Sequence, residues 1–261
     1  FGVCFGIQMP HHLCPLLFVT FLCASLCHCA SVATADDLIS LFNKATGNTL
    51  QTDIEVTADL DFSASNLILP LGAFSNRTCV AFSGMIHGNG HSIKGLKMSN
   101  TFSEGYKHAG LFCSLKDATV ENLVIDSSCS FTGDLSGALS VSADGSFTVI
   151  NTTNKAAVTG ISGAGGFLGQ MSTSKQESVL SFDECVNDGF VTSSTKNAGG
   201  FVGSVSGNTN VTVIISHSAN NGIVTVDGNY AGGFVGHITG TSNFPVATTI
   251  SHSANNGNVT G

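Results

Sequence analysis

Apolar positions in the second half of this chain come in short runs broken by Gly and Asn. In the clearest stretch the runs are Ala198–Val205, Val211–Ala219 and Ile223–Val226, with β-branched residues dominating the second and third. Each is too short for an ordinary helix, so the pattern predicts strands joined by tight turns. Only near residue 36 does helical spacing occur. Leu38, Leu41 and Phe42 would share one face of a helix of about ten residues, with Asp36 or Asp37 as its N-cap.

The strand pattern repeats. GGFLG occupies Gly165–Gly169, and GGFVG follows at Gly199–Gly203 and Gly232–Gly236, so the steps are 34 and 33 residues. Between them lie corner phrases: NDGFVT at Asn187–Thr192, NNGIVT at Asn220–Thr225 and NNGNVT at Asn255–Thr260, with a weaker NKAAVT at Asn154–Thr159. Looser copies of the first phrase are HAGLFCSL at His108–Leu115 and LSGALSVS at Leu135–Ser142. Such a period points to a solenoid or a propeller. A propeller blade needs four strands and longer repeats, whereas three short strands fit one coil of a parallel β-helix, right-handed by the rule for parallel connections.

Equivalent residues on successive coils should then stack about 4.8 Å apart. Asn187, Asn220 and Asn255 are expected to form an amide ladder. Gly189, Gly222 and Gly257 are expected to supply the backbone freedom of the bend. Phe112, Phe167, Phe201 and Phe234 are expected to form an interior aromatic column. Ser136–Ser140 has lost most of its glycine phrase and should mark an irregular coil.

Composition adds location. Residues 1–35 read as a short upstream stretch and a secretory signal starting at Met9 and cut before Asp36, although no Lys or Arg precedes its apolar core. Residues 36–63 would be the capping helix and first strand, and residues 64–261 the repeats, cut off at their C-terminal end. Charged residues make up only 10% of the chain and the net charge is -8, with no basic patch for nucleic acid. Past the signal, Cys79, Cys113, Cys129 and Cys185 permit three disulfide pairings or buried free thiols. Sequons stand at Asn76, Asn151, Asn210 and Asn258.

Three stretches, FSGMIHGNGHSIKGLKM (Phe82–Met98), AGLFCSLKDATVENLVI (Ala109–Ile125) and the repeated AGGFVG, together resemble surface proteins with GLUG-type repeats. ADDLISLFNKATGNTLQTDIEVTADLDFS (Ala35–Ser63) is similar to the N-terminal cap of that family. The resemblance implies a secreted or cell-surface β-helix with adhesive or structural roles, and no shared catalytic residues.

Chemistry is sparse. Acids are isolated, apart from pairs such as Asp59/Asp61 and Asp183/Glu184. Aligned on the corner, Glu184, His217 and His252 fall on successive coils, a weak candidate metal column that a local bend would leave in water while Cys185, Ser218 and Ser253 turn inward. The expected role is a rod that contacts cells, matrix, glycans or surface proteins, needs no cofactor, and meets a membrane only through an anchor beyond this sequence. Two rivals remain. One is a polysaccharide-cleaving enzyme, which clustering of Asp126, Asp144 and Lys155 would favour; the other is a spacer for a domain beyond Gly261.

Overall fold

The computed structural model describes residues 29–261 except 75–77, 101–106, 174, 176, 208 and 242. It is a parallel β-solenoid of about six turns with one short helix near its N-terminus. Three sheets of thirteen, seven and eight strands run its length among the described residues, and every pairing between the named strands is parallel. The spacing of a typical pair repeats the sequence period: Ser178–Asp183 lies in register with Val211–Ser216, and these with Val246–Ser251.

Each coil is divided more finely than the three runs suggest. The run expected over Ala198–Val205 splits into Asn197–Gly199 and Val202–Gly207, and that over Val211–Ala219 into Val211–Ser216 and Ala219–Asn220. The second split lies at a left-handed residue. Asn122, Asn151, Glu184, His217 and His252 all have φ between 43° and 55° on successive coils, which turns the chain from the long sheet into the seven-stranded one.

This changes the role of the corner glycines. Gly189, Gly222 and Gly257 are not the left-handed residues of the bend. A Cβ on Gly189 would collide with the Ala156 carbonyl oxygen, one on Gly222 with that of Gly189, and one on Gly257 with that of Gly222. Glycine is needed because the coils approach each other closely, not because the backbone needs an unusual φ.

The aromatic column also needs correcting. Phe167, Phe201 and Phe234 stack edge to face, with centroids 5.0 Å and 5.1 Å apart. Phe112 is not a member. Its register partner is Ser140, which in turn faces Leu168, so Leu111 stands where the later coils have Phe. Phe112 belongs to a second cluster with Phe82 (5.8 Å) and Phe42 (5.6 Å), beneath the helix. The irregular coil falls where the glycine phrase decays, with register shifts at Gly133/Leu135 and at Asp144/Phe147.

The helix is Ala35–Asn43, and its N-cap is Thr34, not Asp36 or Asp37. Thr34 Oγ1 accepts from the Asp37 N–H at 3.2 Å while Asp37 Oδ2 accepts from the Thr34 N–H at 3.0 Å, a closed capping box. Asp36 and Asp37 instead sit in the first turn, where the helix dipole favours acids. Leu38 and Phe42 are buried, and Leu41 is only half-buried. Ahead of the helix, Cys29–Val32 pairs in parallel with Asp53–Val56, and Val32 is buried.

A disulfide joins Cys79 to Cys113, while Cys129 and Cys185 are buried free thiols. Burial pushes their pKa values up to about 11 and about 12. Both are inert thiols at neutral pH.

Candidate functional site: the corner ladders and the face beside them

The inner amides form a ladder. Asn154 Nδ2 donates to Asn187 Oδ1 at 2.8 Å, Asn187 to Asn220 at 2.7 Å and Asn220 to Asn255 at 2.7 Å. Each Nδ2 also donates to the carbonyl two residues on, Asn187 to Gly189 at 3.0 Å and Asn220 to Gly222 at 3.0 Å. Both amide hydrogens are thus satisfied in a buried place, where an unpaired one would cost about 1–3 kcal/mol. Asn154, Asn187 and Asn220 are fully buried, so this part of the ladder is structural and out of reach of ligands, while Asn255 on the last described coil is exposed.

An outer ladder runs beside it in water. Asn221 Nδ2 donates to Asp188 Oδ1 at 2.9 Å, and Asn256 to Asn221 at 2.8 Å. Next comes an apolar column: Phe190 is 59% exposed and Ile223 is 40% exposed, with Asn258 following on the last coil. Two residues further along the chain, Thr132, Thr159, Thr192, Thr225 and Thr260 lie in register on five successive coils, with Ser99 before them. Thr260 Oγ1 and Thr225 Oγ1 are 3.3 Å apart. Threonine is not singled out by the repeat analysis above, although the final T of NKAAVT, NDGFVT, NNGIVT and NNGNVT carries the signal. Alternation along the strand points this residue outward whenever its Val neighbours point in.

Glu184, His217 and His252 lie at the left-handed corner, all exposed, while Cys185 and Ser218 are buried. The two imidazoles stack face to face, with centroids 5.1 Å apart and planes 12° from parallel. Nδ1 of His217 is engaged by Asp183 at 2.9 Å. Stacked rings aim their nitrogens sideways, not at a shared point, and no group of three or more potential ligands converges among the described residues. The column is not a chelate. His217, with the Ser216 hydroxyl next, holds the Asp183 carboxyl below the usual range.

The acids and lysine proposed for an enzyme are dispersed. Asp144 pairs with Lys116 at 3.8 Å on the long sheet. Asp126 accepts from the Ser128 N–H at 2.9 Å at the next corner, with Lys155 within electrostatic range. Of the sequons, Asn76 lies outside the described residues, and Asn151, Asn210 and Asn258 are exposed. Asn151 Nδ2 already donates to Asn122 at 2.7 Å.

Among the described residues no helix is long and apolar enough to cross a membrane. No family model matches this chain. No curated protein matches it either. Among solved structures it is similar to a Bacteroides ovatus protein whose given name is "putative immunoglobulin A1 protease". That likeness has a TM-score of 0.57 at 15% identity, over 86% of this chain and 74% of the other. At such identity the likeness speaks for the fold alone, a parallel β-solenoid.

Proposed function

We propose that this chain is a GLUG-like, secreted or surface-displayed rod that makes repeated weak contacts with glycans or surface proteins. The observation that supports it is the outward-facing threonine column, half-buried at Thr132, Thr192 and Thr225 and exposed at Thr159 and Thr260, flanked by Phe190, Ile223 and the outer amides and presented once per coil in constant register. Hydroxyl, methyl and amide groups at a fixed spacing near 4.8 Å suit an extended partner lying along the rod. Contacts that are individually weak gain strength when linked in this way. Glycosylation of the exposed sequons belongs to the same extracellular reading.

The test is binding of the purified protein to a glycan array and to intact cells, compared with a Thr159→Glu/Thr192→Glu/Thr225→Glu variant. The threonines point away from the core, so the variant should stay folded, with some loss of melting temperature from the stacked carboxylates, while binding falls by about tenfold or more. Wild-type protein that binds nothing on either surface would leave the spacer role in its place.

A further inference from the structure

The sequons among the described residues are not equivalent. Asn210 is exposed, and no hydrogen bond among the described residues engages its side chain. Its backbone is fixed, the Asn210 carbonyl accepting from the Ser178 N–H at 3.1 Å. Val211 and Val213 are buried, so Thr212 between them faces outward, half-buried. Asn151, by contrast, donates its amide to Asn122, and Thr152 next to it is buried.

An aromatic residue stands beside Asn210. The link between Val202–Gly207 and Val211–Ser216 is residues 208–210, whereas the next coil has residues 240–245 between Val235–Thr239 and Val246–Ser251. The longer link carries Phe244. The Phe244 N–H donates to the Thr241 carbonyl at 3.1 Å, and the Thr241 N–H donates to the Phe244 carbonyl at 3.0 Å. The backbone of Phe244 is thus held in place, yet the residue is 41% exposed. Asn210, Phe244, Glu177 and Thr209 line a pocket of about 170 Å³. That is below the range of free-ligand sites, so an occupant needs a further source of affinity. A covalent tether at Asn210 supplies one.

We propose that Asn210 is an N-glycosylation site and that its first sugar packs in this pocket against Phe244. The proposal rests on the secreted reading given above. The donor is an oligosaccharide carried on a polyprenyl diphosphate, and Asn210-Val211-Thr212 is the acceptor. The bond from sugar C1 to the diphosphate oxygen breaks, the bond from Nδ2 to C1 forms, the amide gives up one proton, and the lipid diphosphate leaves. The apolar C–H face of a sugar ring then takes part of Phe244 out of water. A tethered sugar has a high effective concentration, so a weak contact is enough. Asn210 leads into the long sheet, whereas the threonine column lies on the eight-stranded one. The glycan therefore leaves the threonine face open.

The test is to express the full chain in a eukaryotic secretory host and read Asn210 by glycopeptide mass spectrometry. Most secreted molecules should carry a glycan there. Asn210→Gln should then lower the melting temperature by about 2–4 °C. That shift should vanish in a Phe244→Ala background and in protein made without glycosylation. Secreted protein with Asn210 bare would overturn the site. No shift on Asn210→Gln, or one that persists in either control, would overturn the seat against Phe244. Retention of the chain under its own leader would count against the secreted reading alone, because a foreign leader still brings Asn210 to the transferase.

Discussion

The first and last coils of the described solenoid differ in what lies against them. At the N-terminal end the helix Ala35–Asn43 lays Leu38 and Phe42 over the first coils, both buried, and Phe42 packs on Phe82 and Phe112. On the last described coil, residues occupying the same interior columns as fully buried ones are open: Ile250 is 48% exposed against 0% for its register partner Ile215, and Val259 38% against 0% for Val224. The corners that follow Ile215 and Ile250 are identical, SHSANNG at Ser216–Gly222 and again at Ser251–Gly257. Identical residues are therefore core or surface according to whether a neighbour covers them. Burial in a solenoid is a property of the stack, and stability is a sum of coil-to-coil interfaces.

The largest expected contrast lies in the aromatic column. Phe201 is packed by Phe167, Phe182 and Phe234, whereas Phe234 meets the column through Phe201. Phe201→Ala should destabilise by about 3–5 kcal/mol, the range for a buried aromatic truncation, and Phe234→Ala by about half of that. Urea denaturation followed by circular dichroism reads both. Equal losses would break the comparison between covered and open coils.

A somewhat smaller effect should come from the covered end. The Cys79–Cys113 bond closes a loop of 34 residues against the coils that the helix caps. Loop-closure entropy assigns about 3.8 kcal/mol to such a bond. A Cys79→Ser/Cys113→Ser variant should lose stability by that order, with hydrogen exchange rising first around Leu71 and Phe112. Loss spread evenly to residue 260 would mean that the coils unfold as one unit.

The smallest contrast lies in the ladder. Asn187→Ala would strand a buried N–H of Asn154 and a buried carbonyl of Asn220, costing about 3 kcal/mol; Asn255→Ala, at the exposed end, should cost about 1 kcal/mol. The difference in melting temperature between the two variants measures how much of the ladder's worth comes from burial.

Much of this was legible in the chain. The period, the strand-rich units and the amide ladder follow from repeats in which Asn and Gly recur at one place per coil. The inward turn of Cys185 and Ser218 was legible too, because Glu184 at the position before could not be buried cheaply. Other features were not. The sequence puts Phe112 in the wrong column because G-L-F and G-G-F look alike, and only strand pairing shows that they differ by one residue. Thr34 does not stand out as the cap in the sequence because the acids after it are also good caps, and the capping box is a matter of which hydrogen bonds close. The cleft lined by Gln51, Ser83 and Asp117, where the long sheet breaks, was invisible because those residues belong to no shared phrase.

Sequence alone determined the period, the coil class and the identity of the corner, since a residue repeated once per coil must stack on itself whatever the details. Tertiary structure decided which glycines are required by close approach and which residues carry the bend. It also decided which pair of cysteines meets and where a break in the long sheet opens a cavity. Those outcomes depend on distances between coils about 30 residues apart in sequence. No local pattern encodes such distances, because the packing of neighbouring layers sets them.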